Sequence, residues 1–177
     1  MIAATAVRPT RPKVSLDARP AYRAMIAVGS VALTLLSAVA LVRLFAGIAP
    51  SMPHLKTPAL IIHLATAIPA VPLGGYLMLS RKGDARHRLL GKIWLAMMSV
   101  TAIAALFIRN VNNGQFSWIH LFVVLTIVSV PRAYFAARRG DIDKHRAIIR
   151  GFFLGAGLLA GFASFMPHRT MWWMAFG

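Results

Sequence analysis

The chain has 177 residues, of which 58% are hydrophobic and 14% charged, with a formal net charge of +16. Soluble domains are usually about a quarter charged, so this composition, with a mean hydropathy of +0.67, excludes an ordinary water-soluble fold. The sequence has no cysteine, which excludes disulfides, thiolate catalysis, iron–sulfur ligation and covalent c-type haem attachment.

Residues 1–20 hold Pro9, Pro12 and Pro20 among basic side chains and read as a disordered cytoplasmic tail. They do not lead straight into the short apolar core of a signal peptide. Residues 21–177 are expected to form a single transmembrane helical domain. Five apolar stretches, about 21–47, 57–80, 88–109, 116–137 and 146–166, approach the roughly 20 residues that a helix needs to cross a bilayer. Strands are disfavoured because lipid cannot satisfy an open strand edge. The expected fold class is therefore all-α, an integral membrane bundle of five transmembrane helices.

In chain order, Thr57-Pro58 predicts an N-cap followed by proline at the first helical position. Pro69, Pro72, Gly74 and Gly75 in span two predict a kink, and Pro131 could bend span four. Span five carries the small-xxx-small pairs Gly151/Gly155 and Gly157/Gly161. Such pairs admit either a neighbouring helix or a flat cofactor. Trp118, Trp172 and Trp173 suit an outer aromatic belt.

The basic residues are distributed asymmetrically. Arg8, Arg11, Lys13, Arg19 and Arg23 precede or open span one. Arg81, Lys82, Arg86, Arg88 and Lys92 lie around the link between spans two and three. Arg132, Arg138, Arg139, Lys144, Arg146 and Arg150 lie around the link between spans four and five. The opposite side holds Arg43, Lys56, Arg109 and Arg169. This is a positive-inside bias, which predicts a cytoplasmic N-terminus and an outer C-terminus in a bacterial inner membrane. The basic side would meet anionic lipid headgroups. No basic stripe with interleaved aromatics points to nucleic acid.

One passage occurs twice. Arg81-Lys82-Gly83-Asp84 precedes His87, and Arg138-Arg139-Gly140-Asp141 precedes His145 after one inserted residue. His63 and His120 are likewise 57 residues apart. Spans two and three, and spans four and five, thus read as two parallel two-helix repeats. His63 and His120 would form an outer pair, and His87 and His145 an inner pair. Each pair is a candidate bis-imidazole site for haem b, giving one or two haems suited to electron transfer.

Other readings of these residues stay open. His63 could be a hydrogen-bonded packing residue, and His120 an interfacial one after a Ser117 N-cap. Asp84 and Asp141 could cap the helices that begin at the inner histidines, with the following His-Arg pairs binding lipid phosphate. Cationic partners for haem propionates would be Arg43 and Arg109 on the outer side, and Arg86, Arg88, Arg146 and Arg150 on the inner. The four carboxylates all lie outside the spans, which argues against a proton-coupled transporter.

His63, the segment His87-Arg88-Leu89-Leu90-Gly91-Lys92, and Gly140-Asp141-Ile142-Asp143-Lys144-His145-Arg146 together resemble a bacterial family of predicted membrane proteins, domain of unknown function 2306. The resemblance implies a small multi-span helical protein without a settled activity. The histidine plan also looks like that of b-type cytochromes of the cytochrome b561 kind, with His87 and His145 nearer the membrane edge. The leading expectation is a membrane b-type cytochrome-like electron-transfer protein, with quinone as a candidate exchange partner. The alternative is a non-catalytic structural or assembly subunit whose glycine-rich faces pack on other membrane subunits.

Overall fold

The computed structural model describes residues 19–108 and 120–177. The tail before Arg19, and Arg109, Ser117 and Trp118, lie outside the described residues.

Helix α1 runs Pro20–Phe45, with proline in its first turn. Its buried residues Ile26, Ser30, Leu33, Ser37 and Ala40 recur at three- and four-residue steps, one stripe of an α-helix. Val28, Val31, Leu35 and Val42 face outward, which suits lipid rather than water. After Gly47, at φ 70°, and a short 3₁₀ turn at Pro53–Lys56, helix α2 runs Pro58–Leu79. Thr57 occupies the N-cap position with an extended backbone, and Pro58 opens the helix, but the Thr57 side chain makes no capping bond. The helix continues through Pro69 and Pro72.

Helices α3 (Ala85–Ala105) and α5 (Ile142–Ala163) begin in the same way. Gly83 and Gly140 sit at φ 92° and 77°, left-handed conformations that a Cβ disfavours. The Asp84 carboxylate then accepts from the His87 N–H at 2.7 Å, and Asp141 from the Lys144 N–H at 3.2 Å. Each aspartate satisfies an N–H that the first turn leaves without an intrahelical acceptor. The duplicated Gly-Asp passage is thus a turn and a helix cap. Because of the inserted residue, His145 stands one position beyond the capped N–H, whereas His87 carries it.

Helix α4 runs Leu121–Arg138, with His120 at its N-cap position. Within α5, residues Phe153–Leu159 are π-helical, and the Ala160 N–H reaches the Gly155 carbonyl five residues back. A short helix α6, Thr170–Phe176, follows.

The five long helices are each apolar enough to cross a membrane, which implies a lipid environment. Helix α2 packs on α1 and α3, α4 on α3 and α5, and the π-helical part of α5 returns to α1 and α2. The bundle thereby closes on itself. At its centre Trp94 lies edge-on to Phe152, with ring centroids 5.4 Å apart, and 6.0 Å from Phe153. Its indole N–H donates to the Ala70 carbonyl at 2.9 Å.

The glycines explain the close approach of the helices. A Cβ at Gly74 would stand 2.5 Å from Phe153 and 2.7 Å from Trp94, and one at Gly75 would stand 2.5 Å from Ser30. Gly155 abuts Leu125 of α4, and Gly161 abuts Leu33 of α1. Three glycines of the sequence stripe, Gly155, Gly157 and Gly161, therefore serve contacts inside the bundle, while Gly151 faces open space. This removes most of the glycine-rich outer face that a partner-binding role was expected to use.

Helix α6 packs on α1. Arg43 of α1 donates through Nε to the Met174 carbonyl at 3.3 Å and through Nη2 to the Gly177 carbonyl. A cation at carbonyls that a helix end leaves without intrahelical donors is favourable. Arg43, expected to serve a propionate, instead fastens α6.

Candidate functional site

The main cavity lies at the end of the bundle opposite the Gly-Asp turns. It has a volume of about 210 Å³ and is partly open, and residues from all five long helices line it. His63 of α2 and His120 at the start of α4 both contribute to its wall. Thr101, Thr126 and Ser164 add hydroxyls, and the rest is mostly carbon. Ala67, Ala102, Ala156, Gly157, Ala160 and Gly161 supply much of that carbon. Side chains this small let helices surround a space without filling it.

The imidazole of His63 is held. Its Nδ1 lies 3.0 Å from the Thr101 carbonyl on α3. A carbonyl only accepts, so Nδ1 carries the proton and Nε2 keeps its lone pair. One turn along α2, Thr66 donates to the Ile62 carbonyl, and its hydroxyl lies 2.7 Å from that of Thr101. Residues three apart on a helix share a face, so His63 and Thr66 both meet Thr101. The sequence displayed His63 but not its tether, because a main-chain acceptor on another helix leaves no mark in composition.

His63 lies five residues inside α2, whereas His120 stands at the N-cap position of α4. The two are equivalent in sequence spacing but not in position along their helices. Even so, the fold brings them to one cavity.

The inner pair is arranged differently. His145 donates through Nδ1 to the Ala133 carbonyl of α4 at 2.9 Å. His87, with its own N–H capped by Asp84, lies within electrostatic range of His145, Lys82 and Asp84. Its Nδ1 is buried and makes no hydrogen bond among the described residues. Neither ring lines the main cavity. Arg88 donates to the Gly83 carbonyl at 2.6 Å, closing the turn, and Arg146 is half-buried in the first turns of α5. Other basic residues here also engage the chain itself. Arg23 and Lys82 reach the Leu79 and Met78 carbonyls at the end of α2, both at 3.0 Å, and Arg86 lies over the Tyr76 ring. Arg109, expected near the outer pair, lies outside the described residues.

Among the described residues, no group of three or more histidine, aspartate or glutamate side chains is placed to hold a metal ion. For the outer pair and haem the donor set does fit. It offers two imidazoles from separate helices, one with its second nitrogen tied to a carbonyl, the usual support of a ligating histidine. At about 210 Å³ the cavity is below the roughly 300–1,000 Å³ of pockets for drug-sized ligands, so as it stands it does not enclose a porphyrin.

Fold and cavity together define a multi-pass helical membrane protein with a two-histidine recess. The chain belongs to the family of predicted membrane proteins of unknown function, DUF2306, whose profile matches residues 60–173. That match covers both turns, both histidine pairs and the whole cavity rim from α2 to α6. No curated protein and no solved structure matches the chain. The family brings no assigned activity, and its match does not support the cytochrome b561-like histidine plan.

Proposed function

We propose that this is a membrane b-type cytochrome-like electron-transfer protein, with His63 and His120 holding one haem b in the main cavity. The observation that carries the reading is that both imidazoles line the same mostly apolar recess. Ionisable side chains inside a bundle are costly and usually functional. Held by His63 and His120, haem b would supply a one-electron couple.

The chain's own residues have definable parts in this reading. The Thr101 carbonyl fixes the His63 tautomer and aims Nε2 away from α3. The small side chains of Ala67, Ala102, Ala156 and Gly157 in the wall leave space beside the two imidazoles. Trp94 closes the floor, held by Ala70 and the two phenylalanines. For a second haem between His87 and His145, the support is the carbonyl tether of His145. Quinone is one lipid-soluble exchange partner suited to such a couple. The basic turns would lie on the cytoplasmic side of a bacterial inner membrane, following the distribution of lysine and arginine.

The test is a reduced-minus-oxidised absorption spectrum of the full chain purified in detergent after expression with haem supplied. A Soret and α-band difference lost in H63A and in H120A supports the reading. No difference spectrum in the wild type overturns it.

A further inference from the structure

A second recess lies between α3 and α4, and no histidine lines it. It is a partly open groove of about 220 Å³. Ser99, Ala102 and Ile103 of α3 form one wall, and Thr126, Ile127 and Pro131 of α4 the other. Ala102 and Thr126 also line the main cavity, so they stand between the two spaces. Ile103 and Ile127 stay 58% and 59% exposed, so the groove opens to the lipid side of the bundle. Its two hydroxyls are already engaged. Ser99 donates to the Leu95 carbonyl at 2.9 Å, and Thr126 to the Phe122 carbonyl at 2.7 Å. The groove side chains therefore present carbon to whatever lies between the helices.

Both walls lead toward cations at the end of the bundle that carries the Gly-Asp turns. Residues seven apart on a helix share a face. Lys92 stands seven before Ser99, and Arg138 seven after Pro131, and both side chains are exposed. Arg138 is the last residue of α4, and its guanidinium lies 5.9 Å from the centre of the Tyr134 ring. Lys92 lies about 10 Å along α3 from its first residue. A lysine facing lipid at that depth is costly unless its head reaches a polar partner at the interface. Asp84 and Asp141 are already engaged as helix caps.

Hydrocarbon along the groove and positive charge at one end match a molecule with an acyl chain and an anionic oxygen group. We propose that the α3–α4 groove seats an acyl chain of an anionic phospholipid, whose phosphate Lys92 and Arg138 hold. The five spans imply lipid on all sides; the groove adds one fixed position with a charge preference. The proposal does not depend on haem.

The experiment reconstitutes the full chain in lipid discs holding equal phosphatidylglycerol and phosphatidylcholine. Native mass spectrometry then reads the lipid that stays on the released protein. The wild type is expected to retain phosphatidylglycerol about tenfold over phosphatidylcholine. K92Q/R138Q should lose that preference. R81Q/R139Q, which removes the same charge from exposed residues outside the two groove faces, should keep it. Equal retention of both lipids by the wild type overturns the proposal. So does a preference unchanged in K92Q/R138Q, or lost equally in R81Q/R139Q, which would assign it to the overall charge of this end. A doubled protein mass without lipid gives the groove to a second copy and also overturns it. A second measurement needs only the wild type. Phosphatidylglycerol with a photoreactive acyl chain should label α3 and α4, and label confined to other helices overturns the proposal even if K92Q/R138Q does not fold.

Discussion

The Nδ1–H of His63 and the carbonyl of Thr101 join α2 to α3 at 3.0 Å, and this bond leaves the ring one nitrogen for a ligand. Replacing His63 or His120 by alanine is therefore expected to abolish the haem difference spectrum while the helical circular dichroism persists. Bands retained at wild-type intensity in both variants would remove these residues from the ligand set. H87A and H145A, read the same way, report on a second haem: loss of about half the α-band would place one there.

The two threonine hydroxyls beside that bond are 2.7 Å apart. Polar pairs between membrane helices contribute about 0.6 kcal/mol on average and up to about 1.7 kcal/mol. T101V should lower stability by an amount in this range in a denaturant titration of the detergent-solubilised protein. The double variant T66V/T101V should cost less than the sum of the singles, because neither hydroxyl then lacks its mate. Strict additivity would argue against the pair.

Much of the architecture was legible, for reasons that differ element by element. The five spans follow from apolar runs that water cannot host. Their boundaries did not: α3 begins at Ala85 and α5 at Ile142, earlier than the apolar runs. The capping aspartates extend each helix into the basic link. The echo of Gly-Asp was visible as a repeat, while its cause, a left-handed glycine followed by a cap, is a backbone property. Helix α6 is too short to leave a periodic signature. Arg43 and Arg169 illustrate the remaining gap. Both are lone outer arginines in the sequence, and tertiary packing sends one to α6 and the other to the cavity.

Glycine at position 74 is required by its neighbours. G74A would press a methyl group against Phe153 and Trp94, and overpacking of this kind costs about 1–3 kcal/mol. G151A meets nothing within 4 Å and should be neutral or gain up to about 1 kcal/mol from helix propensity. Thermal unfolding of the two variants in the same detergent compares them directly. Equal melting temperatures would contradict the packing described here.

The turn aspartates act as helix caps. D84A and D141A should each lose about 1 kcal/mol of stability, whereas D84N and D141N should lose little, since asparagine caps equally well. G83A and G140A should each cost about 1 kcal/mol through the left-handed backbone. A difference spectrum that disappears in D84N but survives in G83A would give Asp84 a role beyond capping.

Arg43 holds α6 against α1. R43M removes both donors and should loosen the C-terminal segment without unfolding the five long helices. Limited proteolysis in detergent should then cleave after Pro167 faster than in the wild type, with the bundle fragment intact. Unchanged cleavage would show that apolar packing alone retains α6.

The π-helical turn at Phe153–Leu159 has a consequence for how one helix meets two neighbours. Each residue advances an α-helix by about 100°, and the wider turn absorbs an extra residue without breaking the helix. The two halves of α5 are consequently out of phase. The first half can lean His145 on α4, while the second shows Gly157 and Gly161 to the recess and to α1. Excising one residue from this stretch would restore a uniform winding and swing Gly161 off Leu33, emptying one wall of the recess while leaving the other four helices in place.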